Sequence, residues 1–244
     1  MVEVERKTLE AMSKDLTIWT VYHRDEQIEQ YELKETDTRK LYNMQEDDGI
    51  DRFNDMNPAW SELVAIYNIW RTKRKSEHIG INHYRRQFEP ERLPNIGECC
   101  CYAKYNLCDT ILDHYGKCHH REDLQSVINY LETNSTPNNK YSHYLKTHTT
   151  LLGNMCFVMT WYDFNDMCEW LFPILFDVQD LLIGKTYSDS IRLKLWREKA
   201  VRDFGDDRAD YQMRTISFIG ERLVSAWIAT NMKVIQISAV NPQP

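Results

Sequence analysis

His78-Ile79-Gly80-Ile81-Asn82-His83-Tyr84-Arg85-Arg86 decides the fold class of this chain. Apolar residues alternate from Ile79 and give way at once to a histidine, a tyrosine and two arginines. The pattern reads as a buried strand whose last residues reach the rim of a sheet, where α/β proteins place ligands. Two adjacent guanidiniums at a rim suit an anionic group, most often a phosphate, because the planar fork pairs bidentately with its oxygens. A strand end whose arginines simply point into water fits the same residues.

Upstream of this strand, Asn57 reads as an N-cap and Pro58 as the first helical residue. Trp60, Leu63, Val64, Tyr67 and Trp70 then recur at helical spacing. Earlier still, Leu16 to Val21 reads as the first strand, closing on Tyr22-His23-Arg24, with charged, irregular sequence from there to about Arg52. Strand, long connection, helix, strand is the order of a βα unit in a mostly parallel sheet.

Downstream, Asp109 to Leu112 reads as a short strand, Glu122 to Leu131 as a helix and Leu151 to Met159 as one buried strand. A helix is predicted from about Asp163, kinked or ended by Pro173, and another over Ile191 to Val201. A last amphipathic helix spans Ile219 to Thr230, and Val234 to Val240 closes the chain as a strand. Apart from the helix over Ile191 to Val201, the charged stretch from Lys185 to Arg214 is the hardest part of the chain to place. With no repeat and no linker, the expected organisation is a charged extension over 1–14 and one α/β domain over 15–244, its sheet flanked by helices.

The 244 residues are enough for a sizeable core, and a formal charge of −7 argues against a nucleic-acid binder that works by counterion release. A local basic pocket for a nucleotide is compatible with it. Met1 to Lys14 is charged rather than apolar, and no apolar run approaches a bilayer span, so a cytoplasmic protein with reduced thiols is expected. The Asn134-Ser135-Thr136 sequon then reads as an ordinary polar loop.

Five of the seven cysteines lie between Cys99 and Cys118, next to His119 and His120. They resemble metal donors, but no Cys-x-x-Cys pair exists and adjacent cysteines chelate one tetrahedral ion poorly. Buried thiols beside a helix-capping His-His pair are expected, and no metal site. Glu221, in Gly220-Glu221-Arg222-Leu223 at the opening of the last helix, is either stabilised there by the macrodipole or acts as a general base. Gly153-Asn154-Met155 offers close backbone approach and an amide that donates and accepts. Asp-x-Asp, Walker, Gly-x-Gly-x-x-Gly and Gly-x-Ser-x-Gly signatures are all absent from the sequence.

Taken in order, several pieces resemble a family of bacterial capsule and exopolysaccharide glycosyltransferases with a GT-A-like, nucleotide-diphospho-sugar transferase fold. They are Thr20-Val21-Tyr22-His23, Asn57-Pro58 with Glu62-Leu63, Gly80 through Arg86, Tyr115 through Leu124, Gly153-Asn154-Met155 and Gly220 through Leu223. His-Tyr-Arg-Arg after a strand is the most specific of them.

The resemblance implies sugar transfer from a nucleotide-diphosphate donor, UDP favoured, to a hydroxyl of a glycan or lipid-linked glycan, with peripheral membrane contact at most. It implies donor contacts from Tyr22, His23, Glu62, Arg85, Arg86 and Asn154. Glu221 is the expected base, with His83 and His120 as competitors, and His119, His120 and Arg222 fall on the acceptor side or behind the site. Where GT-A enzymes carry Asp-x-Asp and a cation, this sequence has His83 to Arg86. Arg85, Arg86 or both are therefore expected to replace the metal, with no cofactor required and manganese left open. A non-catalytic nucleotide-sugar or glycan-binding module is the alternative, and a phosphodiesterase-type hydrolase a more distant one.

Overall fold

Six strands build the central sheet among the residues that the computed structural model describes, which are 15–44, 56–72, 76–102, 104–134, 138–152, 154–183 and 190–237. They are β1 (Leu16–Tyr22), β2 (Arg39–Asn43), β3 (His78–His83), β4 (Glu98–Cys101), β7 (Phe157–Thr160) and β8 (Lys233–Gln236). Their order is β2-β1-β3-β7-β4-β8. β1 runs parallel to β2 and β3, and β4 parallel to β8. β7 runs against both of its neighbours. The sheet is thus mostly parallel, with one reversed strand joining its two halves. A separate two-stranded ribbon pairs β5 (Tyr105–Asn106) with β6 (Thr150–Leu151).

Side chains alternate faces along each strand. Val21, Ile79, Ile81, Cys99, Cys101, Phe157 and Met159 face the large core. Leu16, Ile18, Cys100 and Val158 face a smaller cluster with Phe88 on the other side. At Gly80 the strands approach so closely that a Cβ would lie 2.8 Å from Val158 Cγ2 and 3.0 Å from Ile18 Cγ1.

Helices supply the large core. They are α1 (Glu26–Gln30), α2 (Asn57–Trp60), α3 (Leu63–Arg71), α4 (Ile111–Cys118), α5 (Arg121–Asn134), α6 (Asn139–Thr147), α7 (Trp161–Leu182), α8 (Ser190–Phe204), α9 (Asp206–Gln212) and α10 (Thr215–Asn231). The α/β class and the β1–β3 unit agree with the sequence reading.

Several predicted elements are corrected. Met56, not Asn57, takes the N-cap place, and the helix breaks after Trp60, because Ser61 adopts φ +46° before α3 restarts. Apolar spacing continues across the break, so periodicity alone shows one helix. Residues 109–112 are not a strand: the Thr110 hydroxyl accepts the Asp113 N–H and starts α4. Two adjacent apolar residues, Ile111 and Leu112, fit either element. The predicted strand from Leu151 to Met159 is interrupted, since Asn154 and Met155 both have positive φ, +69° and +49°.

Pro173 neither ends nor divides α7, whose neighbours Phe172 and Ile174 remain buried. The last helix begins at Thr215, so Glu221 lies in its second turn, beyond the stretch where a helix dipole acts strongly. β2, within the supposedly irregular stretch, and β4, inside the cysteine run, escape the sequence reading. The 1–14 extension, Ser135 and Thr136 of the sequon, Gly153, residues 184–189 and the predicted strand beyond Ile237 lie outside the described residues.

Candidate functional site

Residue parity on β3 starts the site. His83 shares the face of Ile79 and Ile81, the face on which α2, α3 and α10 pack. Asn82, on the opposite face, donates its side-chain amide to the Phe88 carbonyl, and the Arg86 N–H donates to the His83 carbonyl at 2.7 Å. The chain therefore turns back over the strand end. Arg86 joins the pocket, while Arg85 stays exposed with its guanidinium 5.0 Å from the Tyr84 ring centre.

The break at Ser61 delivers Glu62. A left-handed serine is strained, and such strain collects at functional sites. Glu62 Oε1 lies 3.1 Å from His83 Nε2 and 3.8 Å from His23 Nε2. Burial would raise the Glu62 carboxyl, but its bonds to the two histidines and the His83 charge outweigh that and hold it well below the usual carboxylate range. Burial lowers the His83 imidazole, against the opposing pull of Glu62. The Arg85 backbone N–H donates to His83 Nδ1 at 3.2 Å, which assigns the proton of the neutral ring to Nε2, facing Glu62.

That tautomer bears on metal binding. His23, Glu62 and His83 place one potential ligand atom each within 4.8 Å of one another. A cation there would need the His83 Nε2 lone pair, and would have to displace the proton that faces Glu62 and the Arg85 N–H bond to Nδ1. His120, Glu122 and Asp203 form a second such group. There His120 Nδ1 pairs with Asp203 at 3.0 Å, and Glu122 with Lys199 at 2.7 Å. Among the described residues no cysteine joins a cluster of this kind.

The turn at Asn154 and Met155 supplies the facing wall. The Asn154 backbone N–H donates to Glu221 Oε1 at 2.5 Å, and its side-chain amide to the Tyr105 hydroxyl at 2.8 Å. Arg222 Nη1 sits 2.5 Å from the other Glu221 oxygen. Gly220 lets α10 approach: a Cβ there would lie 2.5 Å from Leu63 Cδ1, next to Glu62. The absence of one methyl group brings the two carboxylates onto one cavity.

That cavity, of about 140 Å³, is lined by Ser61 and Glu62, His83 and Arg86, Asn154 and Met155, and then Tyr211, Arg214, Ser217, Phe218 and Glu221. Five of the expected residues thus converge: Glu62, His83, Arg86, Asn154 and Glu221. His23 stands behind Glu62. Tyr22 is buried beside Leu33 and Tyr84 and does not line the cavity. His119 and His120 are buried outside the lining. His119 stacks on Phe218 at 3.9 Å, with Nδ1 3.0 Å from Gln212 Oε1. Arg222 is buried behind Glu221.

Sequence reading missed Ser61, Met155, Tyr211, Arg214, Ser217 and Phe218. Arg214, Ser217, Phe218 and Glu221 do carry a helical spacing, but the apolar pattern starts the helix at Ile219, four residues late.

Residues 18–106 and 100–194 match DUF4422, a domain of unknown function. The chain belongs to the DUF4422 family. No curated protein matches its sequence significantly. This DUF4422 chain is similar in structure to the apo form of WbbM, a bifunctional glycosyltransferase, with a TM-score of 0.63 and 18% identity. The match covers 92% of this chain and 44% of WbbM, so the DUF4422 chain spans less than half of that neighbour. The likeness establishes a glycosyltransferase fold. No helix among the described residues is long and apolar enough to cross a membrane.

Proposed function

We propose that this chain transfers a sugar from a nucleotide-diphosphate donor, UDP-linked by preference, to a hydroxyl of a glycan or lipid-linked glycan in bacterial surface-polysaccharide assembly. One observation carries the reading: within a glycosyltransferase fold, a single cavity at the end of β3 sets the Arg86 guanidinium and the Glu221 carboxylate in the same lining. In this reaction the acceptor oxygen attacks the anomeric carbon and its proton passes to Glu221. The bond from that carbon to the diphosphate breaks, and the electron pair leaves with the diphosphate, whose charge Arg86 stabilises. His83, with both ring nitrogens engaged, positions Glu62 and the Arg85–Arg86 turn. Direct inversion is the preferred stereochemistry, since one base suffices for it. The His83 tautomer supports donor binding without a divalent metal.

The test is a panel of nucleoside diphosphates and nucleotide sugars, each with EDTA and with manganese, read by thermal shift and by release of nucleoside diphosphate. Stabilisation and turnover that survive EDTA, and that Arg86→Ala abolishes, are expected. A requirement for manganese overturns the metal-free part, and the absence of binding overturns the whole.

One observation favours a non-catalytic sugar-nucleotide-binding module. Both Glu221 oxygens are already bonded, to Asn154 and Arg222. Binding of a nucleotide sugar with neither transfer nor hydrolysis would establish that alternative.

A further inference from the structure

Charge accounting around the cavity singles out one residue. Of its ionisable lining groups, Glu62 is already engaged by His23 and His83, and Glu221 by Arg222 and the Asn154 N–H. Of those partners, His83 and Asn154 share the lining, while His23 and Arg222 lie outside it. Arg86 and Arg214 remain, from the turn after β3 and from the α9–α10 junction, and among the described residues neither has an ion pair or a side-chain hydrogen bond. The cavity therefore carries, on separate elements, two guanidiniums that no carboxylate of the described residues pairs with.

Arg214 is exposed, yet its backbone is anchored. Two residues earlier, Gln212 is buried, with its amide bonded to His119 Nδ1 and to the Cys118 carbonyl, each at 3.0 Å. The Arg214 N–H donates to the Tyr211 carbonyl, and the Arg214 carbonyl accepts the Phe218 N–H. Phe218 in turn stacks on His119. A cation held at a fixed backbone position loses less freedom on gripping a ligand than one on a loose loop. His119 thus contacts both anchors of the Arg214 wall, Gln212 and Phe218.

We propose that Arg214 and Arg86 grip one dianionic phosphate or diphosphate group between them, with Arg85 outside the grip. Resting on the glycosyl-transfer reading, this makes Arg214 a catalytic residue that stabilises the leaving diphosphate.

The experiment titrates inorganic pyrophosphate into the full chain in EDTA at two salt concentrations, and separately measures turnover of nucleotide sugars. Arg86→Ala and Arg214→Ala are each expected to weaken pyrophosphate binding about tenfold or more, the loss typical of a charge-assisted contact. Arg214→Lys should recover part of it, Arg85→Ala should bind within twofold of wild type, and the salt dependence should shrink in the two weakened variants. Should Arg214→Ala fold poorly, Arg214→Gln takes its place.

Pyrophosphate binding by Arg214→Ala equal to wild type overturns the proposal. So does an Arg85→Ala loss as large as that of Arg86→Ala, or a wild-type protein blind to pyrophosphate. Turnover separates the two readings. If wild type turns over a nucleotide sugar and Arg214→Ala does so equally, only the grip fails. If wild type binds pyrophosphate through both arginines but accepts no nucleotide sugar, the glycosyl-transfer reading fails and the anion site stands.

Discussion

His83 Nε2 meets Glu62 Oε1 at 3.1 Å, joining the end of β3 to the break between α2 and α3. The contact sets a pH dependence of known sign. Burial holds the His83 imidazole below its usual 6.5, so the unfolded chain takes up this proton first as pH falls. Stability is therefore lost from about pH 6.5 downward. Glu62, held below the usual carboxylate value of 4.5, adds a second loss in the same direction as pH falls further. Urea unfolding between pH 7.5 and 4.5 should show the first loss reduced in His83→Gln. An unchanged slope between pH 6.5 and 5.5 would count against the assignment.

Asp123 acts with the opposite sign. Burial pushes its carboxyl up to about 7, against the pull of Lys199, so the folded state holds a proton that the unfolded state has released. Its contribution is favourable at low pH and disappears as pH rises through about 7. Asp123→Asn should stabilise the protein at pH 8 by on the order of 1 kcal/mol more than at pH 4, the gain growing across the window between. Equal effects at pH 4 and pH 8 would show that the carboxyl is not raised.

Gly220 is the contact on which the α10 wall depends. Alanine there gains about 1 kcal/mol of helix propensity. Against this stands overpacking on Leu63, typically about 1–3 kcal/mol. The expected net loss is up to about 2 kcal/mol, and turnover should fall further than stability, because Glu221 moves away from Glu62. A stable, fully active Gly220→Ala would mean that Leu63 yields freely.

Glu221→Gln discriminates two roles. A glutamine oxygen still accepts the Asn154 N–H, so a purely structural Glu221 predicts turnover within about threefold. A base predicts a loss on the order of 10²- to 10⁴-fold with donor binding retained. Single-turnover rates and donor affinity, measured together, decide between them.

Strong local signals were legible. The alternation of Ile79 to Asn82 and the polar burst after it located one wall of the cavity, and Glu62, Asn154 and Glu221 were found as individual residues. Hidden were features made by backbone conformation or by distant partners. The left-handed Ser61 leaves the apolar spacing of Trp60 and Leu63 intact, so nothing in the pattern announces that Glu62 leaves the helix. Arg214 looked like one more charge in a charged stretch, because its anchor, the Gln212–His119 bond, spans 93 residues. β4 was masked by its cysteines, which behave here as small buried apolar side chains.

The pairing of β4 with β8 governs how the chain is made. Lys233 and Glu98, joined across these strands, are 135 residues apart. During synthesis from the N-terminus, β4 can pair with β7 long before β8 has left the ribosome, and its outer edge stays open for that interval. An unpaired edge is a template for a neighbouring nascent chain. The cell must therefore shield this strand, or complete translation quickly, before the sheet is sealed.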